Sequence, residues 1–287
     1  MGNFAKSLFA KVGAFLRKYV YNDRWRCNSC GKEIFSGSFF CDDCEKSLPR
    51  NDKEICNHCG RQVTESAEYC LTCKGNLTSL DKCRSVFNYE GEIKKLIRKA
   101  KYDGKKYILD YFAEELERLC VKCGWAVDKA ADNIKENAVD SVAHNTTVNS
   151  VTNATDKVTE NAADNLVDNI VAVPMTIKAL RKRGYNQSLL LAEKLSIKTG
   201  VKILDCLTKI KETPKQATLK RLERIKNLDG AFRVTDKKAV EGKRILIVDD
   251  VTTTGSTAEV LASRLKRAGA KQVFLLTVAS VPTKDGY

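Results

Sequence analysis

A chain of 287 residues with 43% hydrophobic and 30% charged content is long enough to bury a sizeable core and too apolar for wholesale disorder. Its net charge of +14 is unevenly spread: residues 125–170 hold eight acids against three lysines, a net of −5 that leaves +19 on the rest. Such a surplus favours polyanionic partners. No apolar run reaches the roughly 18–20 residues that span a bilayer, which excludes a membrane-spanning helix.

Residues 1–22 place Phe4, Leu8, Val12, Phe15 and Tyr19 at helical spacing with lysines opposite, which predicts an amphipathic basic helix docked on the protein's own body, with a membrane surface as the alternative. A secretory signal is not expected, because no small-residue cleavage site follows a long apolar core. With twelve cysteines and no export signal, the chain reads as a cytoplasmic, metal-binding protein.

Residues 23–78 contain a tandem repeat. Cys27, Cys30, Cys41 and Cys44 recur as Cys56, Cys59, Cys70 and Cys73, each pair of C-x2-C knuckles separated by ten residues. Gly31 and Gly60 follow the second cysteine of each copy, where knuckles favour a left-handed backbone. Four thiolates suit tetrahedral zinc, and so small a unit buries too little apolar surface to fold without metal. The repeat predicts two structural zinc ions, one per copy; an iron–sulfur cluster is the alternative. A full tetrahedron leaves no position for water, so these sites are not catalytic. His58 reads as a surface residue and Cys83 and Cys206 as packed small hydrophobes; Cys120 and Cys123 lack a second pair and are not expected to hold metal.

Residues 79–287 read as one domain with a low-complexity insertion at about 125–170. A strand is expected over 84–90, helices over 91–101 and 106–123. The insertion, rich in Asn, Ala, Val, Thr and Asp, is consistent with a weak helical hairpin or with disorder. A strand at Asn169–Pro174, a helix over Asn186–Thr199, strands at Lys202–Ile210 and Lys243–Asp250, a helix over Gly255–Ala268 and a final strand at Gln272–Ala279 follow. The alternation of strands with helices predicts an α/β fold with a mostly parallel sheet flanked by helices.

The chemistry concentrates after the apolar run Ile245–Val248, which suits a strand buried on both faces. Asp249 and Asp250 stand at its C-terminal end, where open α/β sheets bind ligands. Thr252, Thr253, Thr254, Gly255, Ser256 and Thr257 then form a hydroxyl-rich loop leading into a helix, whose first N–H groups make an anion site. Arg181, Lys182 and Arg183 before Gly184 read as cations on a flexible turn. Tyr185 beside them could stack on a base or pack in the core, and Asn186 and Gln187 could cap the following helix. Arg181, Arg183, Lys215 and Arg221 are candidates for contacting pyrophosphate or a nucleic-acid backbone, and the segment holding Lys215, Gln216, Lys220, Arg221 and Arg224 for a lid.

The segment around Asp249–Thr257 resembles the ribose-phosphate motif of type I phosphoribosyltransferases. The resemblance implies that Asp249 and Asp250 contact the ribose 2- and 3-hydroxyls, that the Thr253–Thr257 loop wraps the 5-phosphate, and that magnesium accompanies a phosphoribosyl pyrophosphate-like ligand. Residues 88–104, 173–195 with its RGYNQ, and 213–232, together with the cysteine-rich repeat, resemble the ComF family. That resemblance implies a phosphoribosyltransferase-type domain preceded by a tandem zinc-ribbon module. It also implies a role in natural competence, on incoming single-stranded DNA and with a DNA-uptake helicase as partner. A transferase with an unspecified acceptor and a non-catalytic nucleic-acid-binding adaptor are both compatible with these residues.

Overall fold

The structure is a computed structural model, and it describes residues 25–34, 38–52, 54–63, 67–71, 73–74, 78–127, 166–212 and 227–282. The expected N-terminal helix, most of the insertion and the candidate lid residues Lys215 to Arg224 lie outside these residues. The chain forms two compact units, Met1–Leu48 and Pro49–Tyr287. The division falls between the two cysteine repeats and not after the second, as the sequence boundary at 78 places it. The second repeat folds as part of the larger unit.

In the first unit Arg26 pairs with Glu33 across a tight turn closed by Gly31, whose φ is 75° and whose N–H donates to Cys27 O at 3.0 Å. Helix α1, Asp42–Lys46, starts on Cys41. Among its described residues the unit buries the side chains of Cys27, Ile34, Phe40, Cys41 and Leu48, a small core that four thiolates drawn to one metal ion would reinforce.

The larger unit is built on strands β1 (Lys82–Asn88), β2 (Asn169–Ala172), β3 (Lys202–Ile203), β6 (Arg244–Thr252) and β7 (Gln272–Ser280). They pair in the order β1-β7-β6-β2-β3, all parallel. Strands β4 (Leu207–Lys209) and β5 (Phe232–Val234) form a separate antiparallel pair. The stretch expected as one strand over Lys202–Ile210 is thus two. Leu204 N–H still bonds Ile170 O at 2.8 Å, but beyond it the chain leaves the sheet to pair with β5.

Helices α2 (Gly91–Tyr102), α3 (Ile108–Lys122), α4 (Ile177–Arg183), α5 (Gln187–Thr199) and α6 (Ser256–Arg267) complete the unit. Ile93, Leu96, Ile97 and Ala100 form the buried stripe of α2, at the spacing its sequence presents. In the register of β6 with β7, Ile245 faces Val273 and Ile247 faces Leu275. These four join Leu261, Ala262 and Leu265 of α6 in one cluster on one side of the sheet. The other side carries Leu246, Phe274 and Leu276, where α3 and α5 lie. Trp125, just past α3, stacks on Phe274 with ring centroids 5.1 Å apart. Cover on both faces is why these strands read as continuous apolar runs. Ile247→Ala is expected to cost about 2–5 kcal/mol through the cavity it leaves. The check is a lowered urea midpoint at unchanged slope.

The ends of the 125–170 segment belong to the domain. Trp125 is core, Ile170 is in β2, and Val167 N–H donates to Trp125 O at 3.0 Å. The chain therefore returns to the point it left, as an insertion in a surface connection requires.

Candidate functional site

Strand β6 leads through α6 to β7 on one side, while β2 leads through α4 and α5 to β3 on the other. The connections diverge between β2 and β6, and the C-terminal ends of these strands form the switch point where α/β sheets bind ligands. Pairing with β2 stops at Val248, whereas pairing with β7 runs on to Thr252. Asp249 and Asp250 are therefore inside the strand, on a stretch freed along one edge.

The two carboxylates have different surroundings. Asp249 Oδ1 accepts from Ser188 Oγ of α5 at 2.7 Å and from the Asp250 N–H at 2.9 Å. Burial, reinforced by the neighbouring charge of Asp250, pushes its carboxyl up to about 7, against the pull of Ser188 and Lys101. Asp250 Oδ2 meets Lys101 Nζ of α2 at 2.7 Å, both side chains being largely covered. Burial works against the charge of Lys101, yet Asp250 and then Asp249 hold its pKa above the ordinary value.

Past β6 the chain turns at Thr253–Gly255. Gly255, at φ 75°, is the N-cap of α6, a conformation that favours glycine. Gly255 has no side chain to cap this helix; Thr254 Oγ1 accepts from the Ser256 N–H at 3.4 Å, and Thr254 Oγ1 and Ser256 Oγ bond one another at 2.8 Å beside the first turn. The first N–H groups of α6 thus stand next to small hydroxyls, a cradle for an anion. Thr252 and Ser256 are buried, Thr254 and Thr257 partly so, and Thr253 is exposed.

The structure corrects one expectation. Arg181, Lys182 and Arg183 are not on a flexible turn; they form the last turn of α4, which Thr176 caps at its start and Gly184, at φ 81°, closes. Cations at a helix C-terminus complement its dipole. Arg181 is exposed. Arg183 Nη1 donates to Gln187 Oε1 at 2.7 Å, and its guanidinium lies 5.6 Å from the Tyr102 ring centroid. Tyr185 donates its hydroxyl to Ala100 O, and Lys106 sits 4.6 Å from its ring centroid. Asn186 caps α5, accepting from Ser188 N at 3.0 Å, and ties it to β2 through Val173 O at 3.0 Å. Thr176 donates to Glu212, the last described residue before Lys215 and Arg221, which lie outside the described residues.

Sequence reasoning missed Lys101 and Ser188. Nothing in the α2 pattern sets Lys101 apart from Lys94, Lys95 and Lys99. Asn186 and Gln187 stand out as cap residues, and the next residue, Ser188, is the one that reaches the carboxylate.

Each cysteine repeat gathers four sulfurs within 4.8 Å of one another. Around zinc, with Zn–S of about 2.3 Å, tetrahedral ligand sulfurs stand about 3.8 Å apart. Cys30 and Cys41 are 3.8 Å apart, and Cys59 and Cys70 3.7 Å. The donor sets fit zinc, which would be structural. His58 is not a ligand; its Nε2 bonds Thr78 Oγ1 at 2.6 Å. Cys83 and Cys206 are buried, and burial pushes their thiols up to about 12 and about 11.

Comparison with known proteins matches residues 144–286 to the phosphoribosyl transferase domain and residues 18–74 to the double zinc ribbon domain. The "DNA utilization protein YhgH" of Escherichia coli K12 is 38% identical over 109 residues, covering 36% of this chain and 45% of the relative. The "Competence protein F" of Haemophilus influenzae is 33% identical over 105 residues, covering 36% and 46%. The chain thus spans less than half the length of the curated relatives it matches. Fold, site and comparisons define a type I phosphoribosyltransferase-type domain carrying a double zinc ribbon. The presence of both domains, and relatives named for DNA utilization and competence, are consistent with the ComF family that the sequence resembles.

Proposed function

We propose that this protein binds a phosphoribosyl pyrophosphate-like ligand at the end of β6 and serves DNA uptake in the cytoplasm by handling single-stranded DNA. The observation that carries the ligand reading is the juxtaposition at the switch point of paired carboxylates with a hydroxyl-lined helix start that follows a glycine N-cap. Asp249 and Asp250 would accept from the ribose 2- and 3-hydroxyls, and Thr253–Thr257 would enclose the 5-phosphate. The carboxylate oxygens suit magnesium brought in with the ligand, which would neutralise the pyrophosphate charge. Arg181 and Arg183, with Lys215 and Arg221, are the candidate pyrophosphate or nucleic-acid contacts.

The DNA reading rests on the names of the relatives and on the surface beside the site. Tyr102, 61% exposed, stands under Arg183 where α2 meets α4, and bases stack on such aromatic–cation pairs. A helicase-type partner would find apolar contact at Tyr69 and Leu71, both exposed on the second ribbon.

The test is equilibrium binding of phosphoribosyl pyrophosphate with magnesium, together with a single-stranded oligonucleotide titrated at several salt concentrations. Saturable binding of the first, and affinity for the second that falls steeply with salt, are expected. Tyr102→Ala should weaken the oligonucleotide about tenfold, from the roughly 1–3 kcal/mol of one stacked base. Absence of both bindings would rule the reading out. Pyrophosphate release in the presence of nucleobases or nucleic acid would add a transferase activity; binding without release would favour the adaptor.

A further inference from the structure

The second zinc ribbon and the loop after β6 belong to the same compact unit, and a side chain of the ribbon reaches the loop. Arg61, two residues past Cys59, donates from Nη2 to the carbonyl of Thr253 at 2.7 Å. The knuckle that presents Arg61 is held firmly on the sheet. Cys83 N–H donates to His58 O at 2.7 Å, Arg84 Nη1 to Asn57 O at 3.2 Å, and Asn51 Nδ2 to Gly60 O at 2.6 Å. Gly60 lies so near β1 that a Cβ there would come within 2.5 Å of Cys83 O. The chain leaving the ribbon grips α6 as well, since Ser79 N–H donates to Glu259 Oε1 at 2.7 Å. A small crevice lined by His58, Arg61, Thr78, Thr252, Thr254 and Glu259 lies between ribbon and loop.

A trans peptide is planar, with its N–H directed opposite its carbonyl. Holding the Thr253 carbonyl on the ribbon side directs the Thr254 N–H the other way and stops that peptide from flipping. The loop's small polar side chains offer little apolar packing to do this instead. The position of Arg61 depends in turn on Cys56 and Cys59 being drawn together by their metal, because a knuckle this short has no core of its own.

We infer that Arg61 is a positioning residue for the phosphate loop, and that zinc in the second ribbon sets that loop's affinity for the phosphate end of the ligand. The inference rests on the proposed reading of the loop as an anion cradle. Coupling between two sites is reciprocal, so ligand must also retain zinc in this ribbon.

The experiment uses the full chain with two zinc ions, titrated with ribose 5-phosphate and with phosphoribosyl pyrophosphate plus magnesium. Arg61→Ala should bind both about tenfold more weakly while keeping both zinc ions, and Arg61→Lys should recover part of the loss. Lys32→Ala, the equivalent change in the first repeat, should bind as the wild type does. Saturating ribose 5-phosphate should slow chelator extraction of one of the two zinc ions from the wild type and of neither from Arg61→Ala. Wild-type affinity in Arg61→Ala, or zinc extraction indifferent to ligand, overturns the inference. If the wild type binds neither ligand, the cradle reading itself fails. Hydrogen exchange at the Thr254–Ser256 amides then decides the coupling alone: faster exchange in Arg61→Ala supports it, and unchanged exchange overturns it.

Discussion

Asp249→Asn is expected to make the protein more stable at neutral and alkaline pH while reducing affinity for phosphoribosyl pyrophosphate about 100-fold, the loss expected when a charged acceptor is removed. Burial holds this carboxyl at about 7, against an ordinary value of 3.8. A carboxyl raised in the folded state binds its proton more tightly folded than unfolded, so folding stability falls as pH rises between those two values. Below 3.8 the cost of ionisation is absent, and above about 7 it is complete. Asparagine keeps the oxygen that accepts from Ser188 and from the Asp250 N–H but carries no charge. The gain should be on the order of 2 kcal/mol above pH 7, or roughly 4–8 °C in melting temperature for a unit of this size, and should vanish near pH 4. Thermal melts across pH and a ligand titration check both halves. A variant that binds the ligand as tightly as the wild type would remove Asp249 from the site. One that melts lower at pH 8 would show that its charge is not a burden. A wild-type affinity that rises as pH passes through 7 would fit the same account, because the ribose hydroxyls need the ionised carboxylate as acceptor.

The two cysteine repeats should differ sharply in what their metal supports. Cys59→Ser should lose one zinc ion and lower the melting temperature of the larger unit by roughly 10 °C, whereas Cys30→Ser should lose the other and leave that transition within about 2 °C. The second repeat lies within the larger unit and the first does not. When its knuckle loosens, Arg84, a buried cation, loses the Cys56 and Asn57 carbonyls it donates to. Arg84 keeps the Cys83 carbonyl at 2.7 Å, but a buried charge that loses most of its acceptors costs about 3 kcal/mol. Gly60 also loses its seat against Cys83. Scanning calorimetry with zinc quantified per chain measures the contrast. Equal shifts for the two variants would mean that the ribbons contribute alike.

Much of the candidate site is legible in the sequence because its parts are local in the chain. Four thiolates at C-x2-C spacing reach one ion wherever the ribbon sits. An apolar strand, two acids and a run of small hydroxyls followed by a helix form a strand–loop–helix whose geometry comes from a dozen consecutive residues. The Thr176 cap, the RGYNQ corner and the stripes of α2 and α6 are local in the same sense. The short helix α4 nevertheless reads as a flexible turn, because a run of three cations looks like a solvated turn until Thr176 and Gly184 are recognised as its two ends.

What completes the site depends on strand order. Lys101 reaches Asp250, Ser188 reaches Asp249 and Arg61 reaches Thr253 only because β1, β6, β7 and β2 are neighbours in one parallel sheet. In the sequence these three residues are an ordinary helix cation, the second residue of a capped helix and a basic residue after a zinc knuckle. Periodicity reports which face of an element is buried, and spacing reports which side chains meet within it. Neither reports which distant element will lie alongside. That is decided by how the two faces of the sheet are covered, a property of the packed chain as a whole.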